Sequence, residues 1–250
     1  MKKIGIVGGV AWPSTVDYYS EICRRSEQWF LARNPRDTPS TPEMSIESLD
    51  LGKAASYFGD DEDEESWAQF DNYHRAALQR LEASGVDFAL IASNTPHHRF
   101  ASITRDIDIP VISIFEAVAT ESARIGVREV LILGTPLTMR SPRFREEFAK
   151  YGIEAAGPRD EAAKDATAAL IRELQLGQLR EPVERLVAIA KSSFTRQFAG
   201  RPVVCLACTE LPLALPKQKT AATFEYEGVL FINTTAVHIN AAVEFACPGA

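Results

Sequence analysis

Two segments of the sequence place a proton-transferring side chain shortly after a run of apolar residues. Ser93 comes two residues after the run at 88–91, and Cys208 comes two residues after the run at 203–206. A hydroxyl and a thiol at equivalent points of two half-domains could act on one substrate carbon from opposite faces. One group would remove a proton and the other would return one, which is general acid–base chemistry.

The two groups differ in how readily they ionise. A free thiol has a pKa of about 8.5, and a helix N-terminus or a nearby cation can hold it as the thiolate. We expect this state for Cys208, because Thr209-Glu210 begins a helix-like segment. A hydroxyl is a much weaker acid, so Ser93 would be a poor resting base but a usable proton donor. Two ordinary roles stay open: a buried cysteine can fill the core, and a strand-end serine can cap the next helix.

The elements that would position these groups follow from the hydrophobic pattern, which alternates strands and helices in both halves of the chain. Such alternation is typical of parallel sheets that helices cover on both faces. The strands are predicted at 3–7, 43–49, 88–91, 109–114, 130–135, 203–206 and 229–234, and the helices at 14–23, 67–83, 115–124, 141–150, 161–176, 184–196 and 236–245.

The repeated plan predicts an α/β fold of two similar parallel-sheet domains, related by a pseudo-twofold duplication, with the active site in the cleft between them. We expect the first domain to contain residues 1–112 and 225–250, and the second to contain residues 113–224. Sites in such folds lie at the carboxyl ends of the strands. The residues that fall at such ends are Gly8-Gly9, Ser93, Gly134-Thr135 and Cys208.

Composition excludes several classes of function. The 250 residues are 46% hydrophobic and carry a net charge of −7, which is typical of a globular protein and argues against a nucleic-acid partner. No apolar stretch reaches the length of a membrane span. The opening residues resemble a strand and a glycine turn rather than a targeting segment, so we expect a cytoplasmic protein with reduced cysteines. Cys205 and Cys208 have no second ligand pair at zinc spacing, so no metal is expected.

Six short motifs occur along the chain in a specific order. They are G-G-V-A-W-P-S-T-V-D-Y-Y at 8–19, S-N-T-P-H at 93–97, L-G-T-P-L-T-M at 133–139, E-L-Q-L-G-Q at 173–178, C-T-E-L at 208–211 and N-T-T-A-V-H at 233–238. Each motif alone is weak, but in this order they resemble the cofactor-independent aspartate/glutamate racemases over most of the chain.

This resemblance implies an amino-acid racemase that needs neither pyridoxal phosphate nor another cofactor. Ser93 and Cys208 would be its acid/base pair, on opposite faces of the substrate α-carbon. Most members of the family have cysteine where Ser93 stands, although some carry a hydroxyl residue. The resemblance also implies a homodimer that acts on a small amino acid or dicarboxylate. The composition already argues against a nucleic-acid or a membrane partner.

Several residues beside the strand ends are candidates for holding the substrate. Free amides at the starts of helix-like segments suit a carboxylate, and a glycine allows close approach of the backbone. The resemblance implies a lysine before the motif at 173–178, for which Lys164 is the candidate, although Asp165 is closer to the matching position. Asn233 stands where the family has aspartate, so specificity for acidic substrates stays open. The full set is Gly9, Asn94, Thr95, Pro96, Thr135, Lys164, Thr209 and Glu210.

Three functions remain open at this point. The first is a racemase of the aspartate/glutamate type, with asymmetric proton transfer because Ser93 replaces the usual cysteine. The second is a one-thiol decarboxylase or a cis/trans isomerase of a small dicarboxylate, and the third is a non-catalytic binder of small acids. We expect His97 to order the loop after Ser93 and His238 to be structural. Trp12, Tyr18 and Tyr19 are expected in the core or in an interface.

Overall fold

A computed structural model of the chain describes residues 1–60, 63–178 and 180–249. The chain divides into two compact units, Met1–Ser113 with His238–Ala250, and Ile114–Val237. Each unit is built around one sheet of mainly parallel strands, so the predicted α/β class is confirmed. Within the described ranges no helix combines the length and the apolar character that crossing a membrane requires.

The first unit contains a four-stranded parallel sheet in the order β2-β1-β3-β4. Strands β1 and β3 are buried along their whole length, which explains why their sequences are nearly all apolar. The strands are β1 Ile4–Gly8, β2 Met44–Ser48, β3 Phe88–Ile91 and β4 Val111–Ile112, and the helices are α1 Trp12–Arg33, α2 Leu51–Ser56, α3 Ala68–Ala83 and α4 Phe100–Ile103.

The second unit contains a five-stranded sheet in the order β6-β5-β7-β9-β8, in which only β8 runs antiparallel to its neighbour. The strands are β5 Glu129–Gly134, β6 Glu154–Ala156, β7 Val203–Ala207, β8 Thr223–Tyr226 and β9 Val229–Asn233, and the helices are α5 Ile114–Arg124, α6 Pro136–Arg140, α7 Pro142–Ala149, α8 Glu161–Gln175 and α9 Pro182–Thr195.

The two sheets share a strand order, which supports the interpretation of the sequence as a repeat. The order β2-β1-β3-β4 corresponds to β6-β5-β7-β9, and the second sheet adds β8 at its edge. The strands β6 and β8 were absent from the sequence-based prediction. Both are short, and their burial patterns contain exposed or half-exposed positions, so no continuous apolar run marks them.

The expected return to the first domain at residue 225 is wrong. Strand β9 pairs with β7, and β8 pairs with β9, so this part of the chain belongs to the second sheet. The last helix, α10 (Thr234–Ala246), then begins in the second unit, and from His238 on its residues belong to the first. A change of unit within one helix leaves no sequence signal, because the helical periodicity is unbroken.

Candidate active site

Gly9 lies at the carboxyl end of β1 in a conformation that favours glycine. Its φ is +87°, and a Cβ atom at this position would overlap the Leu49 carbonyl oxygen and crowd the Ser48 hydroxyl. The Gly9 amide donates to the Thr15 hydroxyl at 2.9 Å. The parallel register pairs Val7 with Ile91, which places the residues after β1 and β3 at the same edge of the first sheet.

Ser93 lies at this edge, two residues after the end of β3, and is half-buried. Its amide donates to the Ile91 carbonyl at 2.8 Å, and its carbonyl accepts from His97 Nδ1 at 2.8 Å. A 3₁₀ helix follows at Thr95–Arg99, and its N-cap residue is Asn94. Ser93 therefore lies one residue before the capping position, so the alternative in which it caps the next helix is wrong.

His97 and His238 organise the interior behind Ser93. The two rings meet edge to face, with centroids 5.6 Å apart. His238 Nδ1 accepts from the Tyr18 hydroxyl at 2.8 Å, and His238 Nε2 donates to the Ile112 carbonyl at 3.0 Å. Burial lowers the pKa of His238 to about 4. Burial, and then the neighbouring His238, hold the pKa of His97 well below its usual value. Both rings are neutral near pH 7 and act as structural groups, as the sequence suggested.

The other candidates near Ser93 follow the same short segment. Asn94 and Pro96 are buried, and Thr95 is half-buried. Of the aromatic residues in the first motif, Tyr18 is fully buried, whereas Trp12 is 71% exposed and Tyr19 is half-exposed. Of the three residues expected in the core or in an interface, Tyr18 lies in the core, whereas Trp12 and Tyr19 do not, and an interface position for these two stays a prediction.

Cys208 follows the end of β7 and is buried, with its Sγ donating to Glu210 Oε2 at 2.9 Å. Burial raises the pKa of the Cys208 thiol well above its usual value, and the Glu210 carboxylate raises it further. The expectation of a resting thiolate is therefore wrong. The helix after Cys208 is a single 3₁₀ turn, Leu211–Ala214, and the charged group against the thiol is an anion rather than a cation.

The Glu210 carboxylate collects three donors. Oε2 accepts from Cys208 Sγ and from the Thr209 hydroxyl at 3.1 Å, and Oε1 accepts from Gln175 Nε2 at 3.3 Å. These bonds fix one carboxylate oxygen against the thiol, which makes Glu210 an acceptor for the thiol proton. Sequence reasoning did not single out Gln175 as a contact of this carboxylate, although it lies within the motif at 173–178.

Thr135 lies at the same edge of the second sheet as Cys208, because Gly134 pairs with Ala207 in the register of β5 and β7. Its hydroxyl accepts from the Thr138 amide at 3.3 Å and caps α6. The hydroxyls of the two threonines are 3.0 Å apart. Thr135 thus has a local structural role beside any role in binding.

Lys164 lies in the first turns of α8, where its Nζ is 2.5 Å from Glu161 Oε1. Asp165, the alternative occupant of the matching position, is exposed. Asn233 donates through Nδ2 to the Lys219 carbonyl at 2.8 Å and accepts from the Ala236 amide at 3.3 Å. An aspartate there could not make the first of these bonds, because an ionised carboxylate only accepts.

Cys205 and Cys208 have different environments despite their spacing. Cys205 is fully buried within β7, where burial raises the pKa of its thiol, and Cys208 lies beyond the strand end. Among the residues that the structure describes, no three His, Cys, Asp or Glu side chains group together as a metal site requires.

Comparison with known proteins finds, over almost the whole chain, the racemase family that the sequence motifs resemble. Residues 7–242 match the family model described as Asp/Glu/Hydantoin racemase. The chain is 30% identical to PH1733, an aspartate racemase homologue from Pyrococcus horikoshii, with 98% of this chain and 99% of that chain covered and a TM-score of 0.75.

Two further relatives extend the comparison. The chain is 23% identical over 217 residues to the broad specificity amino-acid racemase RacX of Bacillus subtilis, with 85% of this chain and 87% of the relative covered. The glutamate racemase of Campylobacter jejuni shares the fold, with a TM-score of 0.63, 17% identity and coverage of 97% and 85%. With two parallel-dominated sheets and the motifs in order, the chain belongs to the Asp/Glu/Hydantoin racemase family, whose enzymes are isomerases acting on amino acids.

Proposed function

We propose that the chain is an amino-acid racemase, independent of pyridoxal phosphate, in which Cys208 and Ser93 transfer protons at the substrate α-carbon. The observation that carries the proposal is the hydrogen bond from Cys208 Sγ to Glu210 Oε2. A buried thiol that already donates to a fixed carboxylate can lose its proton without first reaching water. The proposal places the remaining candidates, Gly9, Asn94, Thr95, Pro96, Thr135 and Thr209, around the substrate.

The first proton transfer is assigned to Cys208. The thiol proton passes to Glu210 as the sulfur removes the α-proton of the substrate, so the thiol is restored and Glu210 becomes protonated. This route fits a thiol whose pKa is raised, because no free thiolate has to persist before the substrate binds.

The second proton transfer is assigned to Ser93. Its hydroxyl donates to the opposite face of the carbanion, which is a far stronger base than an alkoxide. Ser93 then recovers a proton from solvent, and Glu210 releases the one that it received. One proton enters and one leaves, so the enzyme returns to its starting state.

The unequal pair has a defined kinetic signature. Two enantiomers are equal in free energy, so their kcat/KM values must be equal whatever groups the enzyme uses. The asymmetry instead appears in isotope exchange. The enantiomer whose α-proton faces Cys208 should exchange that proton with D2O while keeping its configuration. The thiol can trade the captured proton for a deuteron through Glu210 and return the deuteron to the carbanion before Ser93 acts.

The substrate is proposed to be a small amino acid, with no strict requirement for an acidic side chain. Two lysines could hold an acidic side chain, Lys164 and Lys53, the latter lying after the second strand. Lys164 is already paired with Glu161, and Lys53 Nζ lies 5.0 Å from the centroid of the Tyr73 ring. RacX, the curated relative, is a broad specificity enzyme. A homodimeric, cytoplasmic enzyme is the arrangement that the family resemblance suggests, and both features belong to the proposal.

The test is α-proton exchange and inversion in D2O, followed by NMR and chiral chromatography. Both enantiomers of aspartate, glutamate, alanine and serine are offered separately. The variant Cys208→Ala should lose both exchange and inversion by about 1,000-fold. Cys23→Ala is the matched control, because Cys23 is a free, half-buried cysteine on α1.

The result that overturns the proposal is an absence of exchange from all eight enantiomers by the wild-type enzyme. Turnover of a malonate or of maleate, lost in Cys208→Ala, would then support the one-thiol decarboxylase or isomerase. Binding of such acids without turnover would support the non-catalytic binder.

A further inference from the structure

Arg99 ends the 3₁₀ helix that follows Ser93, and its charged group is buried among two carboxylates. Its Nε and Nη2 donate to Asp71 at 3.1 and 2.7 Å, in a two-point bond to one carboxylate. Its Nη1 is 2.7 Å from Glu64 Oε2. The side chains of Arg99 and Asp71 are only 11% and 7% exposed, whereas that of Glu64 is 73% exposed. The strong part of this arrangement is therefore the Arg99–Asp71 pair.

Asp71 provides a fixed point on the first unit. It lies in the first turn of α3, a 16-residue helix that contacts β1 and β2. A carboxylate in the first turn is favoured by the helix dipole. The neighbouring aromatic rings of Phe70 and His74 are 4.2 Å apart at their centroids, which holds this turn in the core.

The short helix at Thr95–Arg99 is thus held at two points. At its beginning, His97 Nδ1 donates to the Ser93 carbonyl. At its end, Arg99 is bound to Asp71 and lies with its guanidinium carbon 5.6 Å from the centroid of the Trp67 ring. Five residues of 3₁₀ helix have little stability of their own, so outside contacts must fix them.

We propose that Arg99 is a positioning residue for Ser93, and that its bond to Asp71 sets where the Ser93 hydroxyl stands relative to the substrate. This inference rests on the proposed role of Ser93 as proton donor. Breaking the bond leaves a buried carboxylate without its cation and removes one of the contacts that hold the end of the short helix against α3. A displacement of the donor by a fraction of an ångström is enough to slow a proton transfer.

The role predicts a change that a general loss of folded enzyme cannot produce. Removal of the α-proton by Cys208 does not involve Arg99, so exchange with retained configuration should persist. Inversion, which needs Ser93, should fall. The ratio of exchange to inversion, measured on the enantiomer whose α-proton faces Cys208, therefore reports positioning alone, because both rates scale equally with the amount of folded enzyme.

The experiment measures this ratio for Arg99→Met, with Arg99→Lys and Asp71→Asn as graded variants. Arg99→Met should raise the ratio about tenfold, since small misplacements of a reacting group have effects of this order or larger. Arg99→Lys should restore part of the loss, because a lysine keeps the charge but cannot bond to Asp71 at two points. Arg124→Met is the matched control, since Arg124 is 69% exposed and bonds to Glu121 on α5.

Asp71→Asn keeps the proposal testable if Arg99→Met does not fold, because it preserves the shape of the partner and removes only its charge. A wild-type ratio in every folded variant of Arg99 and Asp71 would overturn the positioning role. If Ser93→Ala inverts substrate at the wild-type rate, the proposed role of Ser93 fails and the positioning role fails with it. Loss of inversion in Ser93→Ala with an unchanged ratio in Arg99→Met would overturn the positioning role alone.

Discussion

The Ser93 end of the first sheet and the Cys208 end of the second occupy equivalent places in a repeated plan, but they differ in proton chemistry. Cys208 donates directly to the Glu210 carboxylate, which Thr209 and Gln175 hold in place. Ser93 is held through its backbone carbonyl by His97. No carboxylate of the described residues bonds the Ser93 hydroxyl. The two side chains therefore share a place in the repeated plan but differ in their hydrogen-bond partners, so equivalence of place does not mean equivalence of role.

Among changes that test the difference between the two ends, Glu210→Gln should have the largest effect on exchange and inversion. It removes the carboxylate that accepts from Cys208 Sγ. The amide cannot take the thiol proton, so exchange and inversion should both fall about 100-fold. Loss of the carboxylate should also lower the pKa of the Cys208 thiol, because Glu210 is one of the groups that raise it.

The predicted fall in the pKa of the Cys208 thiol can be measured independently of turnover. Alkylation of Cys208 by iodoacetamide follows the thiolate fraction, so its rate should begin to rise at a lower pH in Glu210→Gln than in the wild type. Glu184→Gln, a change in the first turn of α9, is the control. An unchanged pH profile would mean that Glu210 does not govern the thiol.

The next largest effect, on inversion relative to exchange, is expected from Ser93→Cys, which places a thiol at both positions 93 and 208. A thiol is a better proton donor and can also act as a base, so inversion should rise about tenfold relative to exchange with retention. The two enantiomers should then show similar exchange-to-inversion ratios in D2O. A ratio that remains unequal would show that the environment, rather than the chemical group, sets the difference.

A smaller effect is expected from acid, which should lower the free energy of unfolding through the buried histidines behind Ser93. Burial lowers the pKa of His98 and of His238 to about 4, against about 6.5 in the unfolded chain. The unfolded state thus binds protons first as the pH falls, so the stability is complete above about pH 6.5 and is lost toward pH 4. Each histidine should cost about 1 kcal/mol of unfolding free energy between pH 7 and pH 5.5.

Urea unfolding across this pH range measures the acid effect. The variant His98→Phe should reduce the pH dependence of the free energy of unfolding by the contribution of one histidine. His97 and His238 still contribute in this variant. A dependence of the same steepness in wild type and variant would contradict the assignment to His98.

The smallest effect is expected from Lys164→Ala. Because Lys164 is paired with the exposed Glu161, its loss should change stability by less than about 1 kcal/mol. It should change kcat/KM for neutral amino acids by less than about threefold. A much larger loss confined to aspartate and glutamate would show that the lysine leaves Glu161 to bind an acidic substrate.

Much of the fold could be predicted because the buried strands have simple sequences. Strands β3 and β7 are continuous apolar runs, and the residues that follow them, Ser93 and Cys208, were identified for that reason. The motifs also identified the family. The domain boundary could not be predicted, because α10 passes from one unit to the other within an unbroken helix.

The protonation state of Cys208 could not be predicted for a different reason. It depends on where the carboxylate of Glu210 points, and that direction is set by Gln175, which lies 35 residues earlier in the chain. Residue types alone suggested an activated thiolate, whereas the contact shows a neutral thiol beside an acceptor. In the same way, Arg99 and Asp71 are 28 residues apart and carry no motif, so their pairing appears only in the folded chain.

The passage of α10 between the units also determines the order in which they can be completed during synthesis. The second unit is one continuous stretch, Ile114–Val237, so every residue that it needs is synthesised, and emerges from the ribosome, before His238 does. The first unit must wait, because Tyr18 bonds to a histidine 220 residues later. The segment made first therefore finishes folding last, and until then the site for α10 in its apolar core stays open to chaperones and to aggregation.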